Sequence, residues 1–171
     1  MAETGTQPDS EQITFKPIGF VRCTHTDTST IPIQPVYAHG CQARIEILPE
    51  YENGLDDLDG FSHVHILYHF HKAGSAVLKV VPFLDDDPRG TFATRSPRRP
   101  NPIGLSLVRL IRRDGNVLFV EEEDMLDGTP VLDIKPYVPR FDQREHVRAG
   151  WQDSVREEIA QRRGRREEPN M

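Results

Sequence analysis

Residues 103–122, IGLSLVRLIRRDGNVLFVEE, carry the pattern that decides the fold. Two largely apolar segments, 103–112 and 116–122, flank the pair Asp114-Gly115. An Asp-Gly pair between two such segments is a strong signal for a β-hairpin, because both residues tolerate the backbone angles of a tight turn. The stretch therefore predicts two antiparallel strands joined by a short turn.

Strand patterns continue on both sides of this hairpin. Residues 41–48 alternate between apolar and polar side chains, as a half-buried strand does. A short helix is predicted at residues 49–59, and further strands are predicted at 13–21, 61–71, 76–83 and 131–135. Because no long helical period separates the strands, we expect an all-β, mainly antiparallel fold that forms a small closed or nearly closed barrel.

The two ends of the chain differ in composition from the middle. We expect a disordered tail at residues 1–11, the barrel domain at residues 12–142, and a C-terminal helix with a charged tail at residues 143–171. Ser154 and Glu157 have the spacing of a capping box. Apolar residues recur at every fourth position of this region, namely at Val147, Trp151, Val155 and Ile159. We expect this apolar stripe to pack on the same domain and not on a partner.

Charge and cysteine content exclude several classes of protein. The net charge of −6 argues against a general nucleic-acid coat but leaves room for a local basic surface. The two cysteines lack CxxC spacing, so we expect neither a disulfide framework nor a structural zinc site. With no apolar run of membrane-spanning length and no signal-peptide pattern, we expect a cytoplasmic protein without membrane contact.

The segment that leads into the hairpin, residues 89–106 (RGTFATRSPRRPNPIGLS), combines three prolines and two glycines with four arginines. Proline fixes the backbone angle φ, so Arg95, Arg98 and Arg99 are expected to lie on a stiff path. Preorganised cationic groups bind an anionic ligand at lower entropic cost. The alternative interpretation is a rigid surface loop with solvated arginines.

The predicted strand 61–71 places four histidines on the face opposite its apolar residues: His63, His65, His69 and His71. His-x-His pairs occur in metal sites, but such a site needs a further ligand from another strand, and nothing in the sequence specifies one. A polar face that lines a wet pocket or an interface is favoured, and we expect no metal.

A second group of polar residues follows the hairpin at residues 124–137, DMLDGTPVLDIKPY. It contains a turn at Asp127-Gly128 that Pro130 stiffens. Acidic residues in such a turn either cap their own backbone or accept hydrogen bonds from the hydroxyl or amino groups of a ligand. The residue types leave both possibilities open.

Several ordered motifs resemble the TrmO family, whose members are also called TsaA-like or YaeB-like. The motifs are FSH at 61–63, FH at 70–71, GTFATRSP at 90–97, RPNPIGLS at 99–106 and DGTPVLDIKPY at 127–137. The similarity runs from about residue 15 to residue 142. It implies a small β-barrel that binds S-adenosylmethionine without a Rossmann fold and forms a homodimer. It also implies methylation of the exocyclic nitrogen of threonylcarbamoyl-adenosine beside the anticodon of tRNA.

The resemblance also implies roles for individual residues. Asp124, Asp127 or His71 would accept the proton of the methylated nitrogen, and the sequence offers no choice among them. Arg98 and Arg99 would suit the phosphates of the anticodon loop. The methyl donor would contact Gln34, Pro35, Val36, His71, Lys72, Arg95, Leu105, Asp124, Met125, Leu126 and Asp127.

Departures from the family pattern keep two alternatives open. Ile33 stands where many bacterial members have arginine, and residues 83–89 replace a proline-arginine run. No counterpart of the C-terminal extension of some bacterial members is recognised. The alternatives are a methyltransferase that acts on a small molecule or a protein, and a non-enzymatic module that binds S-adenosylmethionine or RNA.

Overall fold

The structure is a computed structural model that describes residues 12–166. The strands within these residues are β1 (Gly19–Arg22), β2 (Gln42–Ile47), β3 (His63–His69), β4 (Lys79–Val80), β5 (Arg89–Gly90), β6 (Ile103–Asp114), β7 (Val117–Glu121) and β8 (Pro130–Pro136). Six of them form a closed antiparallel barrel in the spatial order β1-β2-β7-β6-β3-β8. The predicted fold class is confirmed, whereas the predicted tail at 1–11 lies outside the described residues.

Alternation along the strands fills the barrel. In β2, Ala43, Ile45 and Ile47 are at most 6% exposed, while the residues between them face outward. In β3, Val64, Ile66 and Tyr68 point inward in the same way. This is the pattern expected when one face of a strand lies against a core and the other against solvent.

The β6–β7 hairpin forms where the sequence predicts it. Asp114 pairs with Val117, which leaves Gly115 and Asn116 as the two-residue turn, and Gly115 adopts a positive φ of 58°. A β-bulge lies between Leu110 and Arg112 and shifts the register of the pair. Such bulges increase local twist and help a sheet to close.

Two predicted strands are wrong in extent. The strand predicted at 13–21 is shortened to β1, which begins beyond Pro17, a residue that has no N–H to donate to a ladder. The strand predicted at 76–83 is reduced to β4, which pairs with β5 in a separate two-stranded sheet. Pro82 follows closely and limits its extension.

The helical segments are shorter than predicted. Residues 49–59 form two 3₁₀ segments, Pro49–Leu55 and Leu58–Gly60, separated at Asp57, whose φ is 65°. The C-terminal region contains α1 (Pro139–Asp142), a 3₁₀ segment (Gly150–Ser154) and α2 (Glu157–Gly164). The C-terminal helix is confirmed.

The predicted capping box is wrong. Helix α2 begins at Glu157, after Val155 and Arg156 adopt extended backbone angles. The Ser154 hydroxyl donates to the Trp151 carbonyl at 2.7 Å instead of capping the helix. Of the four recurring apolar residues, Trp151 lies in the 3₁₀ segment and Ile159 in α2, whereas Val147 and Val155 lie outside both, so they do not form the stripe of one helix.

The C-terminal segment packs on its own domain, as the sequence favours. The indole N–H of Trp151 donates to the Ala93 carbonyl at 2.8 Å. The Ile33 N–H donates to the Gly164 carbonyl at 3.0 Å. A Cβ on Gly164 would lie 2.5 Å from the ring of Tyr37, so only glycine permits this close approach.

Candidate active site

A cavity of about 1010 Å³ lies at one side of the barrel. Its walls come from the loop between β1 and β2, the turn after β3, the proline-rich loop before β6 and the segment after β7. Trp151, Gln152 and Arg166 line it from the C-terminal region. Residues 80–84, at the end of β4 and after it, also line the cavity, so at least six separate parts of the chain contribute to its walls.

The cavity gathers most of the residues expected to contact a methyl donor. Nine of them line it: Gln34, Pro35, Val36, His71, Lys72, Arg95, Asp124, Met125 and Leu126. Gln34 and Arg95 are also joined directly, since Arg95 Nη1 donates to Gln34 Oε1 at 2.6 Å. Two residues that are far apart in the sequence thus form one polar corner of the cavity.

Leu105 and Asp127 do not line this cavity. Along β6, Gly104 and Ser106 point inward, so Leu105 between them points outward and is 46% exposed. Asp127 turns its carboxylate to the end of β1, where Oδ1 accepts the Cys23 N–H at 3.2 Å. Contact between the methyl donor and Leu105 or Asp127 remains a prediction.

Arginine side chains brace the proline-rich loop from within. Arg99 Nη1 donates to the carbonyls of Thr94 and Ser96, at 3.1 and 3.4 Å. Arg98 Nε donates to the Ser75 carbonyl at 3.2 Å. The stiffness predicted from proline is reinforced by these bonds, and RNA contact by Arg98 and Arg99 remains a prediction.

His71 reaches the cavity because the chain leaves β3 before it. The strand ends at His69, and the His71 N–H donates to the His69 carbonyl in a tight turn at 2.8 Å. His71 therefore lies beyond the strand, which corrects its assignment to the strand face of His63, His65 and His69, although His63 also lines the cavity. Its Nδ1 lies 3.4 Å from Thr129 Oγ1, and burial together with Lys72 lowers its pKa.

A buried chain of hydrogen bonds joins β3, β6 and the segment after β7. Ser106 Oγ donates to Asp124 Oδ1 at 2.5 Å and lies 3.2 Å from the Tyr68 hydroxyl. All three side chains belong to residues that are at most 8% exposed. Gly104 makes the arrangement possible, because a Cβ there would lie 2.3 Å from the Tyr68 ring.

Burial controls the protonation of Asp124. Removal from water raises the pKa of this carboxyl to about 7, against the opposing effects of the Ser106 hydrogen bond and the charge of Arg95. Near neutral pH, Asp124 therefore exists in both its acid and its base form. A carboxyl that faces a cavity with such a pKa can accept or release a proton during a reaction.

Its neighbour Glu123 is also buried but does not line the cavity. Glu123 is 0% exposed, and burial raises its pKa to about 7. Its Oε2 accepts the Met125 N–H at 2.8 Å, and its Oε1 lies 3.2 Å from His25 Nε2. The same environment raises the pKa of the Cys23 thiol to about 12, chiefly through burial.

Sequence analysis missed several residues that shape the cavity. Tyr68 and Phe70 belong to the apolar alternation of the predicted strand 61–71. Tyr68 lies in the core on β3, Phe70 packs against the core just beyond the end of β3, and both also line the cavity. Trp151 and Arg166 come from a region predicted only as a helix and tail. Their approach depends on long-range packing, for which no local sequence signal exists.

The described residues provide neither a metal cluster nor a membrane-crossing helix. Between residues 12 and 166, no three His, Cys, Asp or Glu side chains converge in a way that could hold a metal ion. Within the same range, no helix combines the length and apolar character needed to span a bilayer.

Comparisons with known proteins agree with one another. The model of the family described as the tRNA-methyltransferase O N-terminal domain matches residues 20–143. A probable S-adenosyl-L-methionine-binding protein of Pyrococcus abyssi is 48% identical over 139 residues, which cover 81% of this chain and 76% of that protein. The human tRNA (adenine(37)-N6)-methyltransferase is 39% identical over 139 residues, which cover 77% of this chain and 32% of that protein.

Solved structures give the same result. The crystal structure of TrmO from Pseudomonas aeruginosa superposes with a TM-score of 0.70 at 38% identity. The match covers 82% of this chain and 63% of that one. This chain therefore spans less than two thirds of the TrmO chain and about a third of the human enzyme.

The buried carboxyl of Glu123 predicts a specific dependence of stability on pH. Its pKa is about 7 in the folded protein and near 4.5 when the chain is unfolded, so between these values only the folded state keeps the proton. The free energy of unfolding therefore falls as the pH rises through this window. Glu123→Gln has no proton to lose, and we expect it to be more stable than the parent at pH 8 by about 1–3 kcal/mol.

Urea unfolding at pH 5 and pH 8 measures this difference. The gain should shrink at pH 5, where Glu123 is largely protonated. Glu145→Gln, at an exposed position, is the matched control and should follow the parent at both pH values. A Glu123→Gln protein that is less stable than the parent at pH 8 would show that the carboxylate is instead favourably paired there.

Proposed function

The chain belongs to the tRNA-methyltransferase O family, and from this premise we propose that it transfers a methyl group from S-adenosylmethionine to tRNA. The acceptor is the exocyclic N6 of threonylcarbamoyl-adenosine next to the anticodon. The observation that carries the proposal is the cavity itself, which collects nine residues implied in donor binding, among them the buried Asp124. As part of this proposal, the protein acts on tRNA in the cytoplasm.

The cavity suits S-adenosylmethionine in size and chemistry. Its volume of about 1010 Å³ lies at the upper end of the range of small-molecule sites, and its lining is largely apolar with a few polar groups. Arg95 and Lys72 match the carboxylate of the donor, and Met125, Leu126 and Val36 offer apolar surface to its adenine. When bound, the donor supplies an electrophilic methyl carbon on a sulfonium.

We propose Asp124 as the general base among the three candidates. The acceptor nitrogen resembles that of a urea, so its lone pair is delocalised and its proton must leave as the N–C bond forms and the S–C bond breaks. Asp124 takes that proton, and S-adenosylhomocysteine leaves as a neutral thioether. Asp124 faces the cavity with a pKa near neutrality, whereas Asp127 lies outside it. The rest of the catalysis is positioning, since in-line transfer requires the two reactants at near-attack distance.

Transfer of labelled methyl groups to tRNA tests the function directly. We expect label to enter tRNA that carries threonylcarbamoyl-adenosine but not the unmodified tRNA. Arg95→Ala should abolish transfer by removing donor binding, as calorimetry would show, because it deletes the charge that Gln34 holds in the cavity.

The control for this experiment is Arg140→Ala, an exposed arginine outside the cavity, which should behave like the parent. Donor binding without transfer to either tRNA would point to a small-molecule or protein acceptor, or to a binding module, and would end the tRNA proposal. If Arg95→Ala binds the donor normally, the assignment of the cavity is wrong.

The pH dependence of kcat tests whether Asp124 is the base, with a substitution at its hydrogen-bond donor Ser106 as the probe. The base works in its ionised form, so kcat should rise with pH through the pKa of Asp124. Ser106→Ala removes a hydrogen bond that lowers this pKa. We expect the midpoint of the profile to move upward by about 1–2 pH units, because a hydrogen bond to a charged group contributes about 1.5–3 kcal/mol. Activity should recover at high pH.

A purely structural role of Ser106 would instead lower kcat equally at all pH values. Ser96→Ala removes a hydroxyl from the same cavity without touching Asp124 and should leave the midpoint unchanged. If His71 were the base, the midpoint would lie below the ordinary histidine value and would not respond to Ser106→Ala.

We further propose that two copies associate through the outer face of β3 and β6. Ile103 and Leu105 are 39% and 46% exposed there, and Leu67 lies directly opposite Leu105. A patch of this kind can cover itself in a two-fold dimer. Such a dimer would present Leu105 to the second copy instead of to its own cavity.

Sedimentation equilibrium of the parent and of Leu105→Asp tests the dimer. The parent should sediment as a dimer, and the variant as a folded monomer, because a charge at this position has to be desolvated in the interface. Arg140→Ala again serves as the control. A parent that is monomeric at micromolar concentration would refute the homodimer.

A further inference from the structure

Three arginines and a phenylalanine form a line across the outside of the barrel. Arg22 of β1 pairs with Arg44 of β2, Arg44 pairs with Phe119 of β7, and Phe119 pairs with Arg112 of β6. Their sequence neighbours Val21, Ala43 and Val120 face the core, so the four side chains face outward. We call these four residues the arginine row.

The arginine row lies in a trough of about 630 Å³ that is separate from the donor cavity. Thr24 and Asp127 border it on the β1 side, and Ile111, the residue left unpaired by the β-bulge, borders it on the β6 side. Each member of the row contributes to its lining. The barrel thus has a second concave surface with three cationic side chains.

The charges of the row are only partly compensated. Arg22 Nε is 3.1 Å from Glu46 Oε2, and Arg112 Nη1 is 3.4 Å from Asp114 Oδ2. Within residues 12–166, the Arg44 guanidinium makes no hydrogen bond or ion pair. Like charges directly opposite each other on neighbouring strands are unfavourable, so the Arg22–Arg44 pair costs stability unless an anion lies between them.

The third arginine, Arg112, is held in place by an aromatic ring. The guanidinium of Arg112 lies 3.5 Å above the centre of the Phe119 ring. Stacking fixes the plane of the guanidinium and leaves the N–H groups along its edge available to an acceptor. A guanidinium presented in this way is suited to the oxygens of a phosphate.

We propose that the arginine row binds the phosphate backbone of the tRNA substrate, an inference that rests on the proposed function. The trough adjoins the donor cavity, because Leu126 lines the cavity while the next residue, Asp127, lines the trough. An RNA strand whose modified base enters the cavity at this turn is brought directly to the row. The contacts are to phosphates, so they add affinity and orientation but no base specificity.

The salt dependence of tRNA binding tests the proposal. Arg44→Gln removes one phosphate contact, so the slope of log affinity against log salt should become shallower by about 0.7–0.9. We expect roughly tenfold weaker binding at about 50 mM salt, with modified and unmodified tRNA affected equally. The KM for tRNA should rise by a similar factor, while kcat and the Kd for S-adenosylmethionine stay unchanged.

Two further variants separate binding from structure. Arg44→Lys keeps the charge and should keep the slope of the parent. Arg140→Gln makes the same change in net charge at an exposed position outside the trough, and it should leave tRNA affinity nearly unchanged. In urea unfolding, Arg44→Gln should be at least as stable as the parent, because it relieves the repulsion from Arg22.

The outcomes distinguish this proposal from the proposed function. The arginine row is not the contact surface if Arg44→Gln binds tRNA with the affinity and salt dependence of the parent. The same holds if Arg140→Gln weakens tRNA binding as much as Arg44→Gln does. Both conclusions are independent of the methyltransferase assay. If the parent binds tRNA through Arg44 but methylates none, the row is supported and the proposed reaction fails. A parent that binds no tRNA overturns both.

Discussion

The hydrogen bond from Ser106 to Asp124 determines how the site is built. Ser106 belongs to β6, whereas Asp124 follows β7, so the bond holds the loop after the hairpin against the barrel wall. Tyr68 extends the chain to β3, and it fits only because Gly104 has no side chain to meet its ring. The motif that contains Gly104 and Ser106 is therefore explained by two physical requirements, space for an aromatic ring and a donor for a buried carboxylate.

The buried carboxyls of this site lower the stability of the fold. Glu123 and Asp124 are consecutive buried carboxyls, and burial raises the pKa of each to about 7. Ionising either one inside the protein is unfavourable, and the charge of its neighbour raises the pKa of Glu123 further. A fold selected for stability alone would place apolar residues here, so the carboxyls point to a chemical requirement at this position. Asp124 meets that requirement if it acts as the proposed base at the cavity, and Glu123 anchors the backbone beside it by accepting the Met125 N–H.

Local patterns were sufficient to predict the closed barrel but not the way the C-terminal region packs against it. The alternation in β2 and the Asp-Gly turn of the β6–β7 hairpin depend on neighbours in sequence, and both were predicted correctly. The position of Trp151 against Ala93 depends on a contact across 58 residues, which periodicity does not encode. Leu105 shows a different limit of prediction. A family motif identifies the residue but does not say which face of its strand it occupies, and the alternation of β6 places its side chain on the outer face.

The turn between Asp124 and Gly128 contributes to both concave surfaces, because Leu126 lines the cavity and Asp127 lines the trough. It is tied to the end of β1 by three bonds, in which the N–H groups of Asp127 and Gly128 donate to the carbonyls of His25 and Val21 and the Cys23 N–H donates to Asp127 Oδ1. Methyl transfer depends on the distance between two reactants that are bound through different parts of the protein. If the donor is held on one side of this turn and the RNA backbone on the other, the rigidity of the turn sets that distance. Asp127 then contributes by holding the wall in place, even though its carboxylate does not face the cavity.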